Sequence, residues 1–217
     1  MILAGKVRVN GETVRRADRQ LTPGERLELT PARAYASRGG LKLAPALAHF
    51  GIEVEGRVCA DIGAAAGGFT DVLLQRGALR VFAVDVGRGL LDWRLRQDSR
   101  VVTMERVNAR GLESFPERVS LVTVDVSFIS LNAVLPALGR AAPGAELVVL
   151  FKPQFQLGRR FVAPGGVVRD QAAVAEALTG FAAWCSDHGF EVLGQVASEL
   201  AGPAGNREVF FHLRAAP

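Results

Sequence analysis

The sequence predicts an α/β fold: a seven-stranded, mostly parallel sheet with an antiparallel last strand, preceded by a small partial β-rich segment. Three observations predict it. From residue 57 onward, strand-length apolar runs alternate with helical stretches, the pattern of strands joined by crossover helices. Several of these strands, such as Leu147-Val148-Val149-Leu150-Phe151, carry no polar face, as strands covered by helices on both sides require. A glycine-rich turn follows the first of them, where open parallel sheets bind their ligands. The chain has 217 residues, 49% hydrophobic and 22% charged, enough for one full α/β domain with an appendage and incompatible with global disorder.

The elements follow in order. Val7-Arg8-Val9 runs into an Asn10-Gly11 turn, a strong hairpin signal, and Leu21 to Leu29 carries a Pro-Gly turn followed by alternating Arg26-Leu27-Glu28-Leu29. Residues 1–30 are thus a β-rich segment too small to fold alone, residues 31–36 a linker, and residues 37–217 the main domain. The apolar spacing of Leu43, Ala46, Leu47 and Phe50 predicts a helix stopped by Gly51. Strands are expected at 58–62, 80–86, 101–106, 120–126, 145–151, 190–196 and 208–213, with helices near 68–76, 90–97, 129–139 and 170–187. Few residues, rich in Gly and Pro, separate the last two strands, which predicts an antiparallel hairpin at the sheet's end.

Composition narrows the function. No apolar run approaches the roughly 20 residues of a membrane span, and the N-terminus is too soon polar for a secretory signal, so a cytosolic protein is expected. Cys59 and Cys185 lie in apolar contexts and read as buried core thiols. His49, His188 and His212 have no partners at metal spacing, and no metal is expected. The net charge of +4 lies entirely on residues 1–40, which hold eight Lys/Arg against four Asp/Glu, while the remainder is balanced. A basic arm of this kind suits a polyanion, and Lys6, Arg8 and Arg38 are its candidate phosphate contacts, with Arg159 and Arg160 further along. Of 26 basic residues only Lys6, Lys42 and Lys152 are lysines. Lysine, unlike arginine, can lose its proton when buried, which singles these three out.

The first strand of the main domain ends in Asp61-Ile62-Gly63-Ala64-Ala65-Ala66-Gly67-Gly68-Phe69. Glycines at 63, 67 and 68 let the backbone approach a ligand and turn into a helix. Asp85, at the end of the second strand, stands where a carboxylate accepts from ribose hydroxyls. The dinucleotide pattern G-x-G-x-x-G is absent, and an acid at position 61 disfavours a pyrophosphate. A ligand with a sulfonium, an amino group and a ribose but no phosphate, S-adenosylmethionine, fits better. Its candidate contacts are Asp61, Gly63, Gly67, Gly68, Phe69, Asp85, Val86, Asn108 and Asp125, and Trp93 reads either as a stacking residue beside them or as core.

The acceptor of a methyl group would be a hydroxyl. The loop Asp125-Val126-Ser127-Phe128 lacks the prolines used for base amines, and neither cysteine sits at a strand end for attack on a pyrimidine carbon. A hydroxyl needs a positioned base and a cation beside the developing alkoxide. Lys152 directly follows the fifth strand, Asp125 closes the fourth, Glu208 opens the antiparallel last strand, and Lys42 lies on a helix able to cap the same edge. These four residues converge topologically and are the candidate catalytic set.

The motifs Ser37-Arg38-Gly39-Gly40-Leu41-Lys42-Leu43, Asp61-Ile62-Gly63 through Gly67-Gly68-Phe69-Thr70-Asp71, Ala83-Val84-Asp85-Val86-Gly87, Leu91-Asp92-Trp93, Asp125 to Leu131, Lys152-Pro153-Gln154-Phe155, Gly165 to Asp170 and Gly205-Asn206 closely resemble the TlyA family. Its members are FtsJ-like ribosomal RNA 2′-O-methyltransferases, often labelled hemolysin A. The resemblance covers residues 37–214 and implies a Rossmann-like methyltransferase domain. It also implies a Lys-Asp-Lys-Glu tetrad at Lys42, Asp125, Lys152 and Glu208, cytidine 2′-hydroxyls as acceptors, and ribosomal RNA or ribosomal subunits as partners. The family's N-terminal RNA-binding domain, named after ribosomal small-subunit protein four, is matched only in its second half, by Ala4 to Gly11. Met1 is therefore expected to be internal to a longer product, or the chain to be a natural truncation. Ala65-Ala66 replaces the family's usual Ser-Thr, which is expected to weaken cofactor binding. The alternatives are an RNA-binding assembly factor that has lost catalysis, which the intact tetrad disfavours, and pore formation, which the absence of a span disfavours. Monomer and homodimer both stay open.

Overall fold

A computed structural model describes Ile2, residues 7–29 and residues 34–217, so Lys6 and the expected linker positions 31–33 lie outside the described residues. The chain divides into two units, Met1–Ala34 and Tyr35–Pro217.

In the first unit, β1 (Val7–Val9), β2 (Glu12–Val14) and β3 (Leu27–Leu29) form a sheet in the order β2-β1-β3, all antiparallel. Asn10 and Gly11 both take positive φ, 49° and 83°, as a tight turn between twisted strands demands. The turn is anchored by Asn10, whose backbone N–H donates to the Arg26 carbonyl at 2.9 Å and whose Oδ1 accepts from the Arg26 N–H at 2.8 Å. Arg8 is exposed between the buried Val7 and Val9.

The second unit runs α1 (Gly40–Phe50), β4 (Val58–Ile62), α2 (Gly68–Gln75), β5 (Arg80–Asp85), α3 (Trp93–Arg96), β6 (Val101–Glu105), β7 (Leu121–Val124), α4 (Leu131–Ala141), β8 (Glu146–Phe151), α5 (Pro153–Gln156), β9 (Val162–Ala163), β10 (Val167–Val168), α6 (Gln171–Asp187), β11 (Phe190–Ala197) and β12 (Val209–Ala215). Seven strands make the main sheet in the order β6-β5-β4-β7-β8-β12-β11. The pairs among β4 to β8 are parallel, and β12 runs antiparallel to both its neighbours. The order reverses at β4, placing the ligand edge at the carboxyl ends of β4, β5 and β7.

The strands alternate their side chains between two separate cores. Ile62, Phe82, Val84, Val149 and Phe211 pack on one face with α4 and α6, while Cys59, Val81, Ala83, Val148 and Phe210 pack on the other with α1 and α2. Cys185 belongs to the first core and Cys59 to the second, so the two free thiols lie on opposite sides of the sheet.

Two elements differ from expectation. The helix expected over 90–97 is the single turn α3, because the Asp92 carboxylate accepts the Arg94 N–H at 2.9 Å and starts the helix there. The fourth strand stops at Val124 rather than 126, releasing Asp125 and Val126 to turn away at the ligand edge.

Candidate functional site

Local sequence explains how each strand end presents its functional side chain. Lys152 precedes Pro153, which excludes helical backbone for the lysine and itself occupies the first position of α5. Lys152 is accordingly extended, φ −113° and ψ 106°. At the other end of the sheet pairing, Val209 stands opposite Phe151 in the antiparallel register, so Glu208 and Lys152 occupy neighbouring positions at one rim. Gly63, at φ 83°, tolerates no side chain, since a Cβ there would lie 2.4 Å from the Asp125 carbonyl oxygen. The first glycine of the loop therefore lets the β4 and β7 ends touch. A Cβ on Gly68 would lie 2.2 Å from Ser37 Oγ and 2.9 Å from the Gly40 nitrogen. The N-terminus of α2 thus sits directly against the N-terminus of α1, and this close approach sets Lys42 over the site.

The four candidate catalytic residues form two ion pairs. Lys42 Nζ donates to Glu208 Oε2 at 2.6 Å, with side chains 10% and 1% exposed, and Lys152 Nζ lies 2.5 Å from Asp125 Oδ1. Lys152 Nζ also donates to Ser127 Oγ at 3.0 Å. Glu208 Oε1 is buried without a hydrogen-bond partner and faces Gly202, where a Cβ would lie 2.5 Å away. An unpaired buried carboxylate oxygen is costly unless a ligand group completes it. The loop before Glu208 is held by Asn206, which is buried; its Oδ1 accepts from the Val168 N–H at 2.8 Å and its Nδ2 donates to the Gly166 carbonyl at 2.7 Å.

Beside this cluster lies a cavity of about 170 Å³ whose lining includes Gly63, Asp85, Val86, Asn108, Val126 and Ser127. Apolar walls with a few convergent polar groups suit a flat heterocycle carrying a sugar. Asp85 accepts the Ala65 N–H at 2.8 Å and the Gly87 N–H at 2.7 Å, so each oxygen retains acceptor capacity toward the cavity. Ala65 holds the left-handed conformation, φ 46°, to make this bond. Asn108 Oδ1 accepts the Arg110 N–H at 3.1 Å.

Other candidates sit differently. Asp61 is fully buried and does not line the cavity. Its Oδ2 accepts both the N–H and the hydroxyl of Thr70, at 2.8 and 2.7 Å, and its Oδ1 accepts the Thr123 hydroxyl at 3.2 Å. Burial, reinforced by the charge of Asp125 and opposed by the Thr70 and Thr123 bonds, pushes its carboxyl up to about 7. Asp61 thus braces the glycine loop from beneath. Phe69 is likewise in the core, its ring 6.1 Å from that of Phe210, so it shapes the loop instead of facing the cavity; Gly67 and Gly68 also lie outside that lining. Trp93 is 65% exposed, which excludes the core role expected of it, and it is not among the residues lining this cavity. Arg38, Arg159 and Arg160 are exposed. His49 and His188 are exposed and His212 is buried, and no metal-binding cluster occurs among the described residues. Burial pushes both cysteine thiols up to about 12, which leaves them un-ionised near neutrality.

Sequence reasoning missed Ser127 and Phe128. Phe128 holds φ 64°, is 92% exposed and lies 5.1 Å from the Phe155 ring. Only their place directly after a strand-end acid marked them in the sequence.

Strand order, glycine loop and cavity together define a Rossmann-like methyltransferase domain, and the comparisons with known proteins make this specific. Residues 35–215 match the family model described as FtsJ-like methyltransferase, and the chain belongs to that family. It is 48% identical to the 16S/23S rRNA (cytidine-2′-O)-methyltransferase TlyA of Mycobacterium tuberculosis, over 99% of this chain and 82% of that protein. It is 39% identical to Hemolysin A of Brachyspira hyodysenteriae, over 98% and 90%. A solved structure from Streptococcus thermophilus that carries the name hemolysin superposes with a TM-score of 0.83 at 44% identity, covering 99% of this chain and 80% of that one.

Proposed function

We propose that the chain transfers a methyl group from S-adenosylmethionine to the 2′-hydroxyl of a ribose in ribosomal RNA, at a cytidine. One observation carries the chemistry: two lysine–carboxylate pairs, one buried and one half-buried, meet at the rim of the sheet beside the cavity. Gly63, Asp85, Val86 and Asn108 would hold the cofactor, whose sulfonium supplies an electrophilic methyl carbon. Asp85 would accept from its ribose hydroxyls.

With the cofactor bound, Lys152 would take the proton of the attacking 2′-hydroxyl as the methyl group passes from sulfur to that oxygen. Asp125, paired with Lys152 at 2.5 Å, holds that side chain at the rim. Lys42 supports the oxygen as negative charge develops on it, and Glu208 orients Lys42. Phe128 offers a face on which a base turned out of the RNA stacks. Exposed arginines on the loops of this same edge, among them Arg88, Arg106, Arg110, Arg160, Arg169 and Arg207, suit phosphates, as does Arg8 in the first unit.

The acceptor follows from the relatives' names together with a site built for a hydroxyl. A cytoplasmic location, where ribosomal subunits are found, goes with this reading. Among the described residues no helix is long and apolar enough to cross a membrane, and nothing in the site favours the hemolysin name. The test is methyl transfer from labelled S-adenosylmethionine to ribosomal subunits, followed by digestion to nucleosides. Label in 2′-O-methylcytidine is expected, and label on a base overturns the acceptor.

A further inference from the structure

We propose that Ser127 is a positioning residue for methyl transfer, fixing the rotation of the Lys152 amine so that its lone pair faces the substrate hydroxyl. The inference rests on the reading of Lys152 as the base and deepens it. Lys152 Nζ donates a hydrogen bond to Ser127 Oγ at 3.0 Å and makes an ion-pair contact with Asp125 Oδ1 at 2.5 Å, an oxygen that is buried without a hydrogen-bond partner. Both belong to the segment that leaves β7, two residues apart, and both approach the nitrogen from that side. Ser127 also lines the cavity, so one residue touches both the Lys152 amine and the proposed cofactor space.

The geometry has a consequence for the neutral amine, the form that accepts a proton. A neutral amine keeps two N–H donors and one lone pair about a staggered Cε–Nζ bond. The Asp125 contact is an ion pair without hydrogen-bond geometry, so it draws the nitrogen close without selecting a rotamer. Ser127, as the hydrogen-bond acceptor, takes one of the two N–H groups, and this excludes the rotamer that would point the lone pair back at the serine. A proton acceptor restricted in orientation is worth more than its hydrogen bond alone, because the attacking oxygen meets it with less rotational search. The Phe155 ring, 6.0 Å from Nζ, offers no hydrogen-bond acceptor of comparable direction.

Three variants separate this role from a structural one. Ser127→Val and Ser127→Thr share a shape and differ by the hydroxyl, and Ser127→Ala removes the group altogether. Single-turnover methylation of ribosomal subunits should slow by about ten-fold in Ser127→Ala and Ser127→Val, with dissociation constants for S-adenosylmethionine and RNA changed less than two-fold. Ser127→Thr should return to within about three-fold of the parent. The proposal is overturned by a parental rate in Ser127→Val, by no recovery in Ser127→Thr when its melting temperature matches the parent's, or by a loss that follows weakened cofactor binding. Lys152→Ala, measured alongside, keeps the two readings apart. If Lys152→Ala is inactive while Ser127→Val is unaffected, only the serine's role fails; if Lys152→Ala is itself fully active, the base assignment fails with it.

Discussion

Lys42 Nζ and Glu208 Oε2 lie 2.6 Å apart although 166 positions separate them in the chain. The pair closes the site: it joins the first helix of the main domain to the last strand across the rim that also carries Lys152 and Asp125. Buried ion pairs contribute little net stability when intact, yet breaking one by removing a single partner leaves an uncompensated charge. Lys42→Met and Glu208→Leu should each lower unfolding free energy by about 3 kcal/mol. The double variant should lose much less than their sum, and all three should lack methyl transfer. Urea unfolding checks this, and additive losses would show that the pair is not coupled.

Asp61 predicts a pH effect on stability. Its folded-state value of about 7 lies above the ordinary carboxylate range. Between about pH 4 and 7 the folded protein therefore holds a proton that the unfolded chain releases. The contribution of Asp61 is fully present at the acid end of this window and lost as pH rises through 7. Asp61→Asn keeps acceptor and shape without the charge. Comparing the two proteins at pH 5 and pH 8, the parent should lose a few kcal/mol relative to the variant at the higher pH. Equal pH dependence would remove Asp61 from the account.

Asp85 should govern cofactor affinity. Asp85→Ala deletes acceptors aimed at the cavity and frees the Ala65 and Gly87 N–H groups. The dissociation constant for S-adenosylmethionine, measured calorimetrically, should rise about 10- to 100-fold. Trp93→Ala, an exposed residue away from the cavity, should leave it within two-fold.

The exposed arginines after β8 should act through phosphates. Charge reversal at Arg160 and Arg169 together should weaken RNA binding by about ten-fold at low salt and flatten its salt dependence. Cofactor affinity should stay unchanged, and an unaltered salt slope would place the RNA elsewhere.

Much of this was legible in the sequence. The apolar run Leu147 to Phe151, the Asp61–Phe69 loop and the helix before Gly51 announced a parallel sheet with a switch point, because burial on both faces and glycine turns leave local patterns. Lys152, Asp125 and Glu208 could be placed on one rim from strand polarity alone, and the scarcity of lysine drew attention to Lys42. What stayed hidden depends on orientation about the strand axis. Asp61 and Phe69 sit beside the glycines in sequence, yet strand alternation turns the Asp61 side chain into the core, with Thr70 and Thr123 holding the carboxylate there, and Phe69 is on the inward face of α2. Ser127 and Phe128 follow a strand end, where a left-handed residue, φ 64° at Phe128, redirects the chain in a way that residue pattern does not record. The Asn206 clamp joins a loop to a two-residue strand, too short for any periodicity.

The central claim is that Lys152 accepts the hydroxyl proton while the cofactor binds independently beside it. Single-turnover methylation of ribosomal subunits by Lys152→Ala, with S-adenosylmethionine affinity measured on the same sample, tests it most directly. The account predicts a rate lower by at least about 100-fold with affinity within two-fold of the parent. A variant that methylates the 2′-hydroxyl at the parental rate would contradict it.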